Sequence, residues 1–280
     1  MGKINKLPDW FDNNKKSIPV IGIPIVNGVH WLERLLFSID YPVDNLFIIN
    51  NNGRGEITDE LNELEEIFRT NTLIKNLHIT HFPSNLGCAT SWNLIIKSYL
   101  MEPYWVICNH DVSFTPGLLE EIAETAQNKD LNLIHPRAGE YDIGTYDLFA
   151  VTEEGIRTMG LFDENLSPAY GEDSDFIMRS ININPKMVKG LKNTYFHGNE
   201  IVNNSNESYE KNAQQTSKED PQLGEKLRYV QGINFGHMND KWGKRWRYCR
   251  PYNNPFNIPE FPQSYTTWDI DFVRSKYLGF

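Results

Sequence analysis

Four short apolar segments alternate with amphipathic segments over the first half of the chain, and this alternation limits the possible folds more than any other feature. The apolar segments occupy residues 18–26, 46–49, 77–82 and 104–108. After each of them, apolar residues recur three and four positions apart, the spacing of a helix with one buried face. Such alternation predicts parallel β-α-β units in an α/β fold with helices on both faces of the sheet.

Two of the four predicted helices carry recognisable start signals. Thr58 precedes two acids, which favour the positive end of a helix dipole, and it is predicted to cap the second helix. Thr115 is followed by Pro116, a pair typical of a cap and a first helical residue. The fourth helix is therefore predicted to begin at this pair.

The second half of the chain has a less regular pattern. Strands are predicted at residues 147–151 and 192–197, with a short helix at 153–159 between them. Residues 199–222 are polar and are predicted to form a mobile loop. From residue 223 onward aromatic residues and prolines are frequent, which predicts a largely irregular tail packed over the main domain.

Composition excludes several classes of protein. The chain has 280 residues, 40% of them hydrophobic and 23% charged, as in ordinary globular proteins. A net charge of −10 argues against a general nucleic-acid or membrane-surface binder. The polar N-terminal segment of the chain lacks the apolar core of a secretory signal peptide. The chain also contains no apolar run long enough to span a bilayer. A cytoplasmic protein with reduced cysteines is therefore expected, since its three cysteines form no CxxC pair.

Acids and one histidine stand at places where a parallel sheet binds ligands. Asp111 follows the fourth apolar strand, Glu172 and Asp173 open a predicted helix after a glycine, and His197 ends a predicted strand. Carboxylates with one imidazole suit Mn²⁺ or Mg²⁺, which could bridge the phosphates of a nucleotide. An acid not used by the cation could take a proton from a hydroxyl. The alternatives are a helix cap at Glu172 to Asp175 and a structural role for His197.

Several segments, in this order, resemble the family-2 glycosyltransferases with the GT-A fold. They are VIGIPIVNGVHWLERLL at 20–36, LFIINNNG at 46–53, NLG with WN at 85–87 and 92–93, WVICNHDV at 105–112, GLFDE at 160–164, GEDSDFIMR at 171–179, His197, and Tyr229 with KWG at 241–243. WVICNHDV corresponds to the strand that carries the family's Asp-x-Asp motif. Here Asn109 replaces the first acid of that motif and His110 occupies its middle position.

The resemblance implies a role for each matching residue. Asp111 and His197 would hold Mn²⁺ or Mg²⁺, and Asp173, or else Glu172, would be the general base. The donor nucleotide sugar would be contacted by Asn51, Asn52, Asn85, Gly87, Asn109, Lys241 and Trp242. Asp175 and Arg179 would support the acidic turn. Residues 1–222 would form the donor-binding and catalytic domain, and residues 223–280 an extension on its lid and acceptor side.

The implied activity is transfer of a sugar, with inversion, from a nucleotide-diphosphate sugar to a hydroxyl acceptor such as a glycan. A nucleotidyltransferase of the same fold class is one alternative. A catalytically inactive nucleotide-sugar-binding protein is another, because Asn109 replaces a motif acid. Acidic composition disfavours a nucleic-acid acceptor, although the stretch 241–250 is basic and aromatic. The chain contains neither a P-loop motif nor a GxGxxG fingerprint.

Overall fold

A computed structural model describes residues 17–137, 146–202 and 215–243. The strands are β1 (Ile18–Ile25), β2 (Val43–Asn50), β3 (Ile74–His81), β4 (Tyr104–Cys108), β5 (Val112–Phe114), β6 (Leu133–His135), β7 (Leu148–Thr152), β8 (Met187–Lys189), β9 (Tyr195–His197) and β10 (Glu200–Ile201). The helices are α1 (Val29–Phe37), α2 (Thr58–Phe68), α3 (Cys88–Ser98), α4 (Leu118–Thr125), α5 (Glu153–Met159), α6 (Glu172–Ile183), α7 (Gln215–Glu219) and α8 (Pro221–Trp242).

A seven-stranded sheet in the order β3-β2-β1-β4-β7-β6-β8 forms the centre of the molecule. Strands β1 to β4 run parallel to one another, as the alternation in the sequence predicted. Strand β7 is antiparallel to both β4 and β6. A second, three-stranded sheet, β10-β9-β5, is antiparallel and brings His197 opposite Val112. The carboxyl ends of β1, β2 and β4 therefore open on the same edge, beside the small sheet.

Side chains of β1 enter both halves of the hydrophobic core. Ile21 and Ile23 belong to the cluster that includes residues of α1, α2 and α4, and Val20 belongs to the cluster that includes residues of α3, α5 and α6. Helix α3 approaches the sheet closely at Gly22, where an added Cβ would lie 2.5 Å from side-chain carbons of Ile95. Burial of each isoleucine contributes about 1.5–3 kcal/mol, so this packing fixes the sheet edge that carries the polar residues.

Both predicted helix start signals are wrong in detail. Thr58 is the first helical residue of α2, and Ile57 precedes it without a side-chain capping bond. The hydroxyl of Thr115 donates to the backbone oxygen of Thr194, 2.5 Å away, and accepts from the Thr194 N–H at 3.3 Å, so it bonds to the strand segment rather than to the helix. Helix α4 begins only at Leu118, after Gly117 turns the chain with a φ of 82°. Tertiary hydrogen bonding thus overrides the local pattern at Thr115.

In the second half, the strand at 147–151, the helix at 153–159 and the strand ending at His197 are confirmed within a few residues. The predicted mobile loop is wrong at its ends, because it includes β10 and α7. The irregular tail is also wrong where it begins: Asp220 accepts a hydrogen bond from the Leu223 backbone and caps the 22-residue helix α8. Residues 203–214 and 244–280 lie outside the described part of the chain.

The division into domains at residue 222 stays a prediction, since most of the predicted extension, including Cys249, lies beyond residue 243. Cys88 and Cys108 are free thiols, as expected. Of the helices in the described ranges, none combines the length and apolar character needed to cross a membrane.

Candidate active site

A cavity of about 500 Å³ lies at the carboxyl edge of the parallel strands. Its walls come from the ends of β1, β2 and β4, the first turns of α3 and α6, and the end of β9. Helix α7 and the beginning of α8 form a further wall, with Gln215, Thr216, Ser217, Leu223 and Leu227. A second cavity of about 570 Å³ adjoins it, and the two share Val26, Asn51, Asn85 and Leu223.

Asp111 and His197 meet in the first cavity. The pairing of β5 with β9 sets Val112 opposite His197, so the residue just before β5 faces the imidazole. Nε2 of His197 lies 3.3 Å from Oδ1 of Asp111, and both side chains are buried. On the other side of the ring, Nδ1 lies 3.3 Å from Oδ2 of Asp147. The histidine is therefore held between two carboxylates.

The two carboxylates determine the protonation of His197. Burial alone would lower its pKa, but the hydrogen bond and charge of Asp111, with the charge of Asp147, raise the pKa to about 9. Burial would raise the pKa of Asp111, yet His197 outweighs burial and holds that pKa below its usual value. Without a bound cation the pair is consequently ionised at neutral pH, and a cation bound through Nε2 would have to displace the proton of that nitrogen. Neighbouring His110 is buried, and burial lowers its pKa.

A divalent cation fits this place with only two protein ligands. In the described ranges, no three His, Cys, Asp or Glu side chains converge as a metal cluster. Asp111 and His197 nevertheless offer a carboxylate and an imidazole on the same cavity wall, a donor set suited to Mn²⁺. A carboxylate behind the second nitrogen, here Asp147, is typical of histidines that bind metals. The remaining ligands would have to come from phosphate and water.

Glu172 and Asp173 face the same cavity from the first turn of α6. Gly171, with a φ of 114°, turns the chain into this helix. Burial, and then the charge of Asp173, raise the pKa of Glu172 well above its usual value. Burial also raises the pKa of Asp173, against backbone hydrogen bonds that favour its charged form, one of them from Ser174 N at 2.6 Å. The carboxyl of Asp173 therefore ionises more readily than that of Glu172.

Glu172 lacks a hydrogen-bond partner for Oε2 among the described residues, although its carboxyl contacts the thiol of Cys88. Because its raised pKa makes the folded state bind more protons than the unfolded chain, stability should fall as pH rises above about 4.5. Glu172→Gln should remove this loss and raise the melting temperature at pH 7 to 8, but not at pH 4. Melting temperatures of wild type and Glu172→Gln, measured from pH 4 to pH 8, test this expectation. The same pH dependence in the two proteins would contradict it.

The predicted donor contacts on the strand ends are held by local hydrogen bonds. Asn51 donates from Nδ2 to Ser91 Oγ at 2.9 Å and lines both cavities. Asn85 accepts from the backbone N–H of Gly87 at 2.8 Å. Gly87 has a φ of 82°, and an added Cβ would lie 2.6 Å from the Pro168 backbone oxygen. Asn109 lines the first cavity and Asn52 the second.

Lys241 and Trp242 lie elsewhere, and neither lines either cavity. Nζ of Lys241 is 2.8 Å from Oδ2 of Asp163 and 2.8 Å from Oδ1 of Asp175. Trp242 donates from Nε1 to the same oxygen of Asp175, whose other oxygen pairs with Arg179. Their placement does not support the predicted contact with the donor. These two residues instead fasten the end of α8 to α6 and to the loop before it.

Sequence reasoning missed Asp147 and the wall formed by α7. Asp147 directly precedes the apolar strand β7. This position belongs to none of the motifs recognised in the sequence. The antiparallel pairing of β7 with β4 places it next to the turn that bears Asp111. Residues of α7 belong to a polar segment without apolar periodicity, so no signal in the sequence predicted their position.

Comparison with known proteins supports the family resemblance. Residues 20–192 match the family described as Glycosyl transferase family 2. A galactofuranosyl glycosyltransferase of Leishmania donovani is 25% identical over 232 residues, covering 60% of this chain and 53% of that protein. The chain thus spans about half the length of this relative.

Among solved structures, GalNAc-T7 with UDP, GalNAc and Mn²⁺ is similar with a TM-score of 0.59 at 11% identity, covering 96% of this chain and 58% of that one. TarS of S. aureus, residues 1–349, has a TM-score of 0.47 at 15% identity, covering 65% and 60%. The likeness to GalNAc-T7 concerns the fold alone.

Proposed function

Because the chain belongs to glycosyl transferase family 2 and has the GT-A fold predicted from its sequence, we propose that it transfers a sugar from a nucleoside-diphosphate sugar to a hydroxyl acceptor. One observation carries the proposal. The Asp111–His197 pair and the acidic turn of α6 line the same cavity at the carboxyl edge of the sheet. Sugar transfer requires both elements, one to hold the diphosphate and one to take a proton.

The donor is proposed to lie across the two connected cavities. Its nucleoside occupies the second cavity, near Asn51 and Asn52, and its diphosphate faces Asp111 and His197 in the first. A bound Mn²⁺ or Mg²⁺ would offset the charge of the leaving diphosphate. Asn109 and Asn85 line the donor side with neutral amides, which repel the phosphates less than carboxylates at these two positions would.

Asp173 is proposed as the general base. The acceptor hydroxyl attacks the anomeric carbon as the bond to the diphosphate breaks, and the hydroxyl proton passes to the Asp173 carboxylate. Attack on the face opposite the leaving group inverts the anomeric configuration. One carboxylate is sufficient for this single displacement, since no covalent intermediate with the enzyme forms. Glu172 lies next to it and is the alternative base.

The wall formed by α7 and α8 would keep water from the donor. Asn27 donates from Nδ2 to the Thr216 backbone oxygen at 2.9 Å, and Trp31 donates from Nε1 to Glu219 at 3.3 Å. These bonds attach α7 to α1 and to the turn before it, beside the cavity. Water is a competing acceptor, so its exclusion limits wasteful hydrolysis. Leu223 and Leu227 belong to this wall, which supports a lid role for the part of the predicted extension that the structure describes, residues 223–243.

The sugar itself is proposed to be a hexose or pentose, with galactofuranose the first to test because the curated relative is a galactofuranosyl glycosyltransferase. The inactive binding protein remains the second candidate, because Asn109 occupies a motif acid position. Release of free nucleoside diphosphate from a nucleotide sugar separates the two, since a binding protein releases none. Consumption of a nucleoside triphosphate would instead identify a nucleotidyltransferase.

The experiment that tests donor binding is a thermal-shift screen of nucleoside diphosphates and nucleotide sugars, with and without Mn²⁺. A ligand at 100 times its dissociation constant stabilises a protein by about 2.7 kcal/mol. Asp111→Asn should lose the Mn²⁺-dependent part of the shift while the unliganded protein stays folded. The control Asp130→Asn changes an exposed acid that lines neither cavity and should behave as wild type. An unchanged Mn²⁺-dependent thermal shift in Asp111→Asn would contradict the assignment of Asp111 as a cation ligand.

A further inference from the structure

Asp147 connects three parts of the fold that meet at the cavity. Its backbone oxygen accepts from the N–H of Asn109 at 2.8 Å, which ties it to the turn before Asp111. Its Oδ1 accepts from the hydroxyl of Tyr195 at 2.9 Å and from the N–H of Leu148 at 3.2 Å. Its Oδ2 lies 3.3 Å from Nδ1 of His197. The side chain is 3% exposed, so these contacts are shielded from bulk water.

A buried carboxylate beside Nδ1 restricts what the imidazole can do. Each ring nitrogen lies 3.3 Å from a carboxylate oxygen, Nε2 from Asp111 and Nδ1 from Asp147. A cation held beside Asp111 would displace the proton of Nε2, whereas Nδ1 would keep its proton next to the Asp147 carboxylate, which can accept a hydrogen bond. The other nitrogen, Nε2, is then the one with a lone pair when the ring binds a cation. The bonds from Tyr195 and Leu148 hold the carboxylate itself in one orientation, which also fixes the plane of the ring.

We propose that Asp147 is a positioning residue that keeps the proton of His197 on Nδ1, so that Nε2 faces Asp111 and the cavity as a cation ligand. Asp147 would not ligate the cation itself and would act through the histidine. This inference rests on the cation pair in the proposed function. It adds to that pair a residue that no motif contains, and it predicts that cation affinity depends on a carboxylate outside the coordination sphere.

Mn²⁺ affinity tests the inference without any measurement of activity. Electron paramagnetic resonance of free Mn²⁺, with the full chain and a nucleoside diphosphate, gives the dissociation constant. Asp147→Ala should weaken Mn²⁺ binding about 10- to 100-fold. Asp147→Asn should weaken it less, because the amide oxygen can still accept from Nδ1. Tyr195→Phe leaves the carboxylate in place but removes one bond that orients it, so the loss should be smaller again.

Asp130→Asn is the control, since this exposed acid pairs with Lys186 and lines neither cavity. Circular dichroism establishes that each variant is folded at the temperature of the measurement. A folded Asp147→Ala with the Mn²⁺ affinity of wild type would overturn the inference, and a merely structural role would lower only the melting temperature. Wild type that binds no Mn²⁺ would also overturn it, while donor turnover would separately decide the proposed sugar transfer.

A second measurement needs no variant. In the wild-type complex with Mg²⁺ and a nucleoside diphosphate, ¹⁵N resonances of the histidine rings report which nitrogen of His197 carries the proton. The proton is expected on Nδ1. A protonated Nε2 in this complex, with or without a proton on Nδ1, would overturn the inference even if Asp147→Ala does not fold.

Discussion

Asp173→Asn is expected to lower turnover about 10²- to 10⁴-fold, the usual contribution of a general base, while donor affinity stays within a few-fold. The amide preserves the size of the side chain and can still accept from Ser174 N, but it cannot take a proton. Single-turnover rates and the dissociation constant of the nucleoside diphosphate separate the two effects. Asp130→Asn, an equal change at an exposed site, should leave both quantities unaltered.

The pH dependence of kcat/KM tests the assignment of Asp173 as the general base independently. Burial raises the pKa of Asp173 above its usual 3.8, and only the ionised carboxylate can accept the acceptor's proton. We expect kcat/KM to increase with pH through this raised pKa, and the increase to disappear in Asp173→Asn. If turnover persists both in Asp173→Asn and in Glu172→Gln, the proposed chemistry at the first turn of α6 is wrong.

The sequence predicted the parts of the site that depend on local pattern. Asp111 follows a strand whose five residues are all buried, and Glu172 begins a helix after a glycine, so chain order alone placed them at the ligand edge of the sheet. Asp147 could not be predicted in this way. Its role depends on an antiparallel strand, β7, which lies between β4 and β6 in the sheet. The periodicity of a single segment does not predict the order of strands in a sheet.

Lys241 and Trp242 show a different limit of sequence reasoning. A lysine and a tryptophan near a family motif are chemically suited to phosphate and sugar. Which way they face, however, depends on the helix that carries them and on where it packs. Here they lie at the end of a 22-residue helix and are almost fully buried. Their partners, Asp163 and Asp175, are more than sixty residues away along the chain, beyond the reach of local patterns.

Loss of Lys241 is expected to destabilise the fold strongly. Its side chain is 1% exposed and places the ammonium between Asp163 and Asp175. Lys241→Met would remove this shared cation and leave Asp163 with His237 and Asp175 with Arg179. Removal of one partner from a buried ion pair costs about 3–5 kcal/mol. Chemical denaturation at pH 7 measures this loss. Lys226→Met, an exposed lysine on the same helix, should change the free energy of unfolding by less than about 0.5 kcal/mol.

The pH dependence of this loss identifies its cause. Burial would raise the pKa of Asp163, but His237 and Lys241 hold it well below its usual value. A carboxyl with a lowered pKa stabilises the fold above about pH 3.8, and this contribution disappears as pH falls. The difference between wild type and Lys241→Met should therefore be largest near neutrality and shrink as pH falls below about 4, where the carboxyls that have lost the ammonium become protonated in the variant. A difference that does not change with pH would mean that lost packing, rather than the lost charge pairing with Lys241, destabilises the variant. Because α8 also supplies Leu223 and Leu227 to the cavity wall, an electrostatic origin would make this buried cluster the anchor that holds the wall over the donor.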